Sequence, residues 1–286
     1  MDFVPIALGD NGILRPRRWR PAIAFGWMLA LFAVFIAFSA VGSVLRGPLH
    51  QSATVANIGG TLSLVALFVV YAALVRRVEK RPVEELRLSA LPRDLGLGLL
   101  IGTGMFALVF ASLRLLGAYT LARANWYDWP NDLLTYTKVG LVEELLTRAI
   151  IFRLLMRAAG VWPAIILSSL LFGGGHLGNP NATWLGAVAI AIEAGTMLAG
   201  FYLLTGRLWM SVGVHIAWNM MQGPVFGARV SGHVENGSLF ASAPVSGAPE
   251  WLSGGIFGPE ASVSAMVVGL AVFIITWIGA RRRGFV

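Results

Sequence analysis

The sequence predicts an all-α, polytopic transmembrane bundle of about eight spans, and three observations carry that prediction. Of the 286 residues, 57% are hydrophobic and only 13% are charged, whereas a soluble domain carries about 25% charged residues. Mean hydropathy is +0.73. Apolar runs recur at lengths near the roughly 20 residues that a helix needs to cross the hydrocarbon core. There are no cysteines, which excludes disulfides, iron–sulfur clusters and cysteine nucleophiles. The net charge of +8 does not indicate nucleic acid, because the basic residues gather at span ends.

The eight expected spans run over 21–45, 53–75, 95–119, 133–158, 162–177, 183–204, 208–222 and 261–280. The fifth and seventh are short. The first apolar run is too long for a signal peptide and lacks a clear small-residue cleavage site, so no cleavable signal is expected. With the N-terminus cytoplasmic, sixteen Lys and Arg residues fall on the inner side, and Arg46, Arg123 and Arg229 on the outer. That split predicts eight spans with both termini on the cytoplasmic side. The expected organisation is a cytoplasmic segment (1–20), N-terminal helices (21–132), a core (133–222), a Gly- and Ser-rich loop that is packed or re-entrant (223–260), and a last helix with a basic tail (261–286). The stretch from Arg76 to Arg93 reads as a solvated, basic segment lying on anionic lipid. Its Glu84–Glu85 pair sits among charges and calls for no partner of its own.

Ionisable residues inside spans are costly and mark function. Here they are Arg114, Lys138, Glu143, Glu144, Arg148, His176, Glu193 and His215. Lys138 and Arg114 lie where their long side chains reach toward an interface. Glu193 is deeper and reads equally as a satisfied interhelical bond or as support for a site. Glu144 and Arg148 stand four apart in the favourable acid-first order, so they are expected to pair. Glu143 is rotated by about 100° and is left to face a polar cavity. His176 follows Phe172 by one turn, and His215 and Asn219 share a face of the seventh span. His50 and His233 fall in loops and carry no such expectation.

A glutamate with a histidine can activate water, and an imidazole with an amide can stabilise an oxyanion. The same groups could hold a zinc ion with an open water position. The spacing is not HExxH and no GxSxG is present; Tyr127–Asp128 matches half of an intramembrane aspartyl protease site, without the partner GxGD. Glu143-Glu144 with Arg148 fits EExxxR, Phe172 with His176 fits FxxxH, and His215 with Asn219 fits HxxxN. In this order, over roughly 133–222, the chain resembles the CPBP family, which comprises CAAX prenyl proteases of the Rce1 type and the bacteriocin-processing Abi proteins. The GGIFGPEAS stretch also resembles prokaryotic members.

The resemblance implies an intramembrane endopeptidase acting on a membrane-embedded, membrane-tethered or lipid-modified protein or peptide within the lipid bilayer, without fixing a prenylated substrate; no nucleic-acid partner is expected. Carried over by position, Glu143 and His176 activate water, and His215 with Asn219 stabilises the oxyanion. Glu144, Arg148 and Phe172 support the site. If a metal takes part, Glu143, His176 and His215 are its ligand set. Two histidines fall short of the usual three-ligand catalytic zinc site, so metal-free water activation fits the residues more simply. A proton-coupled transporter using the buried Glu and His groups, and a non-catalytic membrane scaffold, are the competing readings; no inverted repeat of the kind common in transporters is visible.

Overall fold

The computed structural model describes residues 2–49, 53–235 and 237–286, and the side chains of all of these except 41–49 and 53–56. His50 lies outside the described residues. All eight expected spans are helical, except that the third (95–119) stops at Leu115 and its last residue, Tyr119, begins a strand. Two long apolar helices come first, α1 (Arg20–Leu49) and α2 (Ala53–Leu74), the latter running into a π-helical turn, Val75–Glu79. Next is α3 (Leu91–Leu115). The fourth span is one continuous helical path: α4 (Trp129–Glu144), a π-helical segment (Leu145–Phe152) and α5 (Arg153–Ala159). Then come α6 (Val161–Gly175), α7 (Trp184–Ile190), a π turn at Ala191–Gly195, α8 (Thr196–Thr205) and α9 (Leu208–Met220). Past a short α10 (Glu250–Ser253), α11 (Val263–Arg282) completes the bundle. Side chains cap the starts of two of these helices: Thr183 accepts from the N–H of Gly186 at 2.9 Å, and Ser262 from that of Ala265 at 3.2 Å, satisfying backbone donors that a helix N-terminus leaves open.

Six stretches are long and apolar enough to cross a membrane, and the protein is a multi-pass membrane protein. Their outer faces expose Phe25, Leu29 and Phe32 on α1, Leu170 and Leu171 on α6, and Ile274 and Ile275 on α11, as helices facing lipid should. The two expected spans that do not qualify are 129–159, which carries too many charges, and the helical path 208–225, whose polar His215, Asn219 and Gln222 hold its hydropathy down. These are the inner helices. Twelve of the thirteen residues of α9 are buried, and α3, α4 and α8 enclose it. The close approach of α3 to α9 depends on glycine. A Cβ on Gly98 would sit 2.4 Å from the carbonyl oxygen of Met210, and one on Gly213 would sit 2.5 Å from that of Leu95, so small residues let the backbones meet.

Both ends of the chain reach the same end of the bundle, where Arg93, Arg207 and Arg283 all stack on the ring of Phe3. The opposite end holds a feature that an all-α expectation omits. Strands β1 (Tyr119–Arg123) and β2 (Phe240–Pro244) pair antiparallel, with Tyr119 opposite Pro244 and Arg123 opposite Phe240. This ribbon anchors the 223–260 loop, which folds over the mouth of the bundle.

The basic stretch Arg76–Arg93 differs most from expectation. Glu79, Glu85 and Arg81 are buried, and so is Arg153, which the sequence places among inner-side loop charges. Arg153 donates to both oxygens of Glu79 at 2.7 and 2.8 Å. Arg81 bridges Glu79 at 2.7 Å and both oxygens of Glu85 at 2.7 and 2.8 Å. Trp27 adds a 2.9 Å bond to Glu79, and Tyr71 donates to Glu85. The segment turns inward because these carboxylates answer an arginine on another helix.

Candidate functional site

The π-helical segment that follows Glu144 widens the helix just below the glutamate pair, a deformation frequent at functional sites. Glu144 is fully buried, while the side chain of Glu143 keeps about a third of its surface exposed. Arg148 Nε lies 3.3 Å from Glu144 Oε2. The arginine is tied down on its other edges as well: it donates to the carbonyls of Ala194 at 3.0 Å and Gly195 at 3.3 Å, and to the hydroxyl of Thr147. Its guanidinium also stacks 4.7 Å from the centre of the Phe172 ring. The expected pairing is therefore present, and Glu143 is the member of the pair that faces open space.

From α6, His176 Nδ1 lies 2.7 Å from the carbonyl oxygen of Phe172. A carbonyl only accepts, so Nδ1 carries the proton and Nε2 is left as the ring's available nitrogen. From α9, His215 points both nitrogens at the glutamates: Nδ1 is 3.0 Å from Glu144 Oε1, and Nε2 is 3.8 Å from Glu143 Oε2. Phe172 packs edge-on against His176 at 4.9 Å and His215 at 6.2 Å, so one ring spaces both imidazoles and the arginine.

These side chains meet at a cavity of about 310 Å³ walled by Glu143, His176, His215 and Asn219, with Tyr136, Ser231 and His233. A second cleft of about 510 Å³ adjoins it through Glu143, His176 and Asn179 and is otherwise apolar, lined by Met28, Leu29, Phe32 and Leu171 of α1 and α6. Polar groups and an apolar channel thus share one edge. The other intramembrane charges lie apart: Lys138 bonds Asn57 at 3.2 Å, and Arg114 donates to the carbonyl of Tyr119.

The zinc set Glu143, His176 and His215 does not close on a common point: among the described residues, no group of three or more His, Cys, Asp or Glu side chains is arranged to hold a metal ion. His215 spends its Nδ1 on Glu144, and its Nε2 faces Glu143.

Three participants were not singled out by motif. Glu260, buried just before α11, accepts from the backbone N–H of Ser231; burial pushes its carboxyl up to about 7, partly offset by the bonds from Ser231 and Gln222. Tyr136 donates to Glu235 at the cavity mouth. Trp218 lines a small chamber that adjoins the cavity at His215 and Asn219, together with Glu193 and Glu260. The GGIFGPEAS stretch was the one available signal for Glu260.

No curated protein and no solved structure matches the chain. A family model does. Residues 125–221, which carry the glutamate pair, both site histidines and Asn219, match the family described as "Type II CAAX prenyl endopeptidase Rce1-like".

Proposed function

We propose that the protein is an intramembrane endopeptidase that hydrolyses a peptide bond in a membrane-tethered or lipid-modified protein or peptide. The observation that carries this reading is the single cavity walled by Glu143, His176, His215 and Asn219, three helices contributing to it. Glu143, with its carboxylate facing the cavity, takes the proton from an attacking water that His176 Nε2 helps to orient, and returns it to the leaving amine as the C–N bond breaks. His215 and the Asn219 amide face the developing oxyanion. To donate there through Nε2 the ring acts as imidazolium, with Glu144 accepting from Nδ1. Arg148 holds Glu144, and Phe172 sets the spacing of the rings.

The adjoining apolar cleft suits the lipid chain or apolar segment of such a substrate, placing its polar chain beside Glu143. With both termini inside, the cavity opens toward the outer face of the cytoplasmic membrane, so substrate enters from that side. The test is cleavage of a library of tagged, membrane-tethered peptides, prenylated and unprenylated, by purified protein. It is run with and without chelator and beside Glu143→Ala. Cleavage lost in the variant supports the reading. Wild-type protein that cleaves nothing in the library sinks it, and activity lost on rigorous demetallation and regained with stoichiometric zinc replaces the metal-free route.

A further inference from the structure

Next to the cavity lies a chamber of about 20 Å³, lined by Glu193, His215, Trp218, Asn219, Ser231 and Glu260 among others. Its size matches one water, which needs at least about 10–15 Å³ and two to four polar partners. Partners are at hand. Both carboxyl oxygens of Glu193 and the indole Nε1 of Trp218 are buried and have no hydrogen-bond partner, and Glu193 is 0% exposed. Three orphaned polar atoms on the walls of one chamber are unusual, because a buried polar group without a bond is destabilising.

Glu193 is also held in place with care. It sits inside the π turn Ala191–Gly195, and Arg148 grips the next two carbonyls, those of Ala194 and Gly195. Gly269 of α11 lies so close that a Cβ there would come within 2.8 Å of the Glu193 Cβ. The arginine that braces Glu144 therefore also fixes the backbone that carries Glu193.

We propose that this chamber is a binding site for one internal water, held by Glu193 and Trp218 Nε1, and that Glu193 is a positioning residue which, through that water, fixes Asn219 and His215. This role rests on the proteolytic reading above; the water site itself does not. The oxyanion pair lies where the two spaces adjoin, since His215 and Asn219 line both the cavity and the chamber, as His176 and Ser231 do. Side chains must stay within a fraction of an ångström to hold a transition state, and a water bound in the chamber removes slack from the pair.

Two substitutions separate positioning from plain architecture. Glu193→Gln keeps groups able to bond the water and is expected to hold kcat within about threefold of wild type. Glu193→Leu fills the chamber with carbon. It is expected to lower kcat tenfold or more on a prenylated peptide reporter, leave KM unchanged, and keep the unfolding temperature near wild type, since an apolar side chain of similar volume replaces a buried carboxyl together with its water. Trp218→Phe, which deletes one donor and little volume, is expected to show a smaller loss of kcat and serves if Glu193→Leu fails to fold. A high-resolution structure should show one ordered water in the wild-type chamber and none in Glu193→Leu. A dry wild-type chamber, or wild-type kcat in the folded Leu variant, overturns the proposal. If wild-type protein cleaves no reporter, the proteolytic reading and the positioning role fall together, while the structure still decides the water site.

Discussion

Two groups of buried charge occupy opposite ends of this bundle, and they are built on opposite principles. Near the chain termini, Glu79, Glu85, Arg81 and Arg153 form a closed network in which each of the four carboxylate oxygens accepts from an arginine. Toward the loop end, Glu143, Glu144 and Glu193 leave oxygens without a hydrogen bond, and His215 stands between two carboxylates. Burying a charge is tolerable when its geometry and bonds are complete. The complete set reads as architecture, and the incomplete one as a place kept ready for something that is not protein. Formal charge inside a membrane protein therefore does not by itself separate scaffold from site; the state of the hydrogen bonds does.

Exchanging single groups at each end tests this contrast most directly. Glu143→Gln is expected to lower cleavage by about 10²–10⁴-fold, the usual contribution of a general base, while the unfolding temperature in detergent stays near wild type, because Glu143 holds no partner that the fold depends on. A variant that loses stability in proportion to activity would place Glu143 with the scaffold instead. At the other end, Arg153→Ala takes two hydrogen bonds from buried Glu79, leaving those of Arg81 and Trp27, and is expected to cost about 4 kcal/mol, within the range for breaking a buried pair. Any activity lost should be regained when folded protein is isolated and assayed per active molecule.

Arg148 belongs to both principles, which sharpens the comparison. It pairs with Glu144, grips the carbonyls of Ala194 and Gly195, and stacks on Phe172. Arg148→Ala is expected to destabilise by about 3–4 kcal/mol and, unlike Arg153→Ala, to lower kcat in the folded fraction as well. Guanidinium-induced unfolding alongside active-site titration separates the two effects. Full specific activity in the folded fraction would make Arg148 a scaffold residue only.

How much of this was legible before the fold is decided by sequence distance. Glu144 and Arg148, Phe172 and His176, and His215 and Asn219 each stand one helical turn apart, so local periodicity shows them and the apolar runs around them mark the spans. The bonds from Arg153 to Glu79 close over 74 residues, and nothing local distinguishes a glutamate that will turn inward from one that stays in water. The same holds for the ribbon that joins Tyr119–Arg123 to Phe240–Pro244, two five-residue segments without a strand's alternating pattern. Glu193 was visible as an intramembrane charge, but its lack of a partner is a property of packing. Glu260 lay in a loop, where a carboxylate ordinarily needs no account.

Glu260 supplies the smallest effect and the finest division between the two ends. It is fully enclosed yet takes only hydrogen bonds, from Ser231 and Gln222, with no arginine salt bridge, and its carboxyl is pushed up to about 7 by burial. The unfolded carboxyl releases its proton near 4.5. Between those values the folded protein keeps a proton that the unfolded chain has lost, so this group's stabilising contribution is complete below about pH 4.5 and fades as pH rises through 7. The span corresponds to about 3 kcal/mol. Glu260→Gln removes the titration and should flatten the fall in stability between about pH 5 and about pH 8 relative to wild type. Glu79, bonded by two arginines, is expected to differ: in Glu79→Gln the loss of stability is as large at about pH 8 as at about pH 6, because no proton uptake by Glu79 accompanies folding in that window. Unfolding curves of both variants across that range provide the check, and parallel pH profiles for the two would erase the distinction between a closed network and an open one.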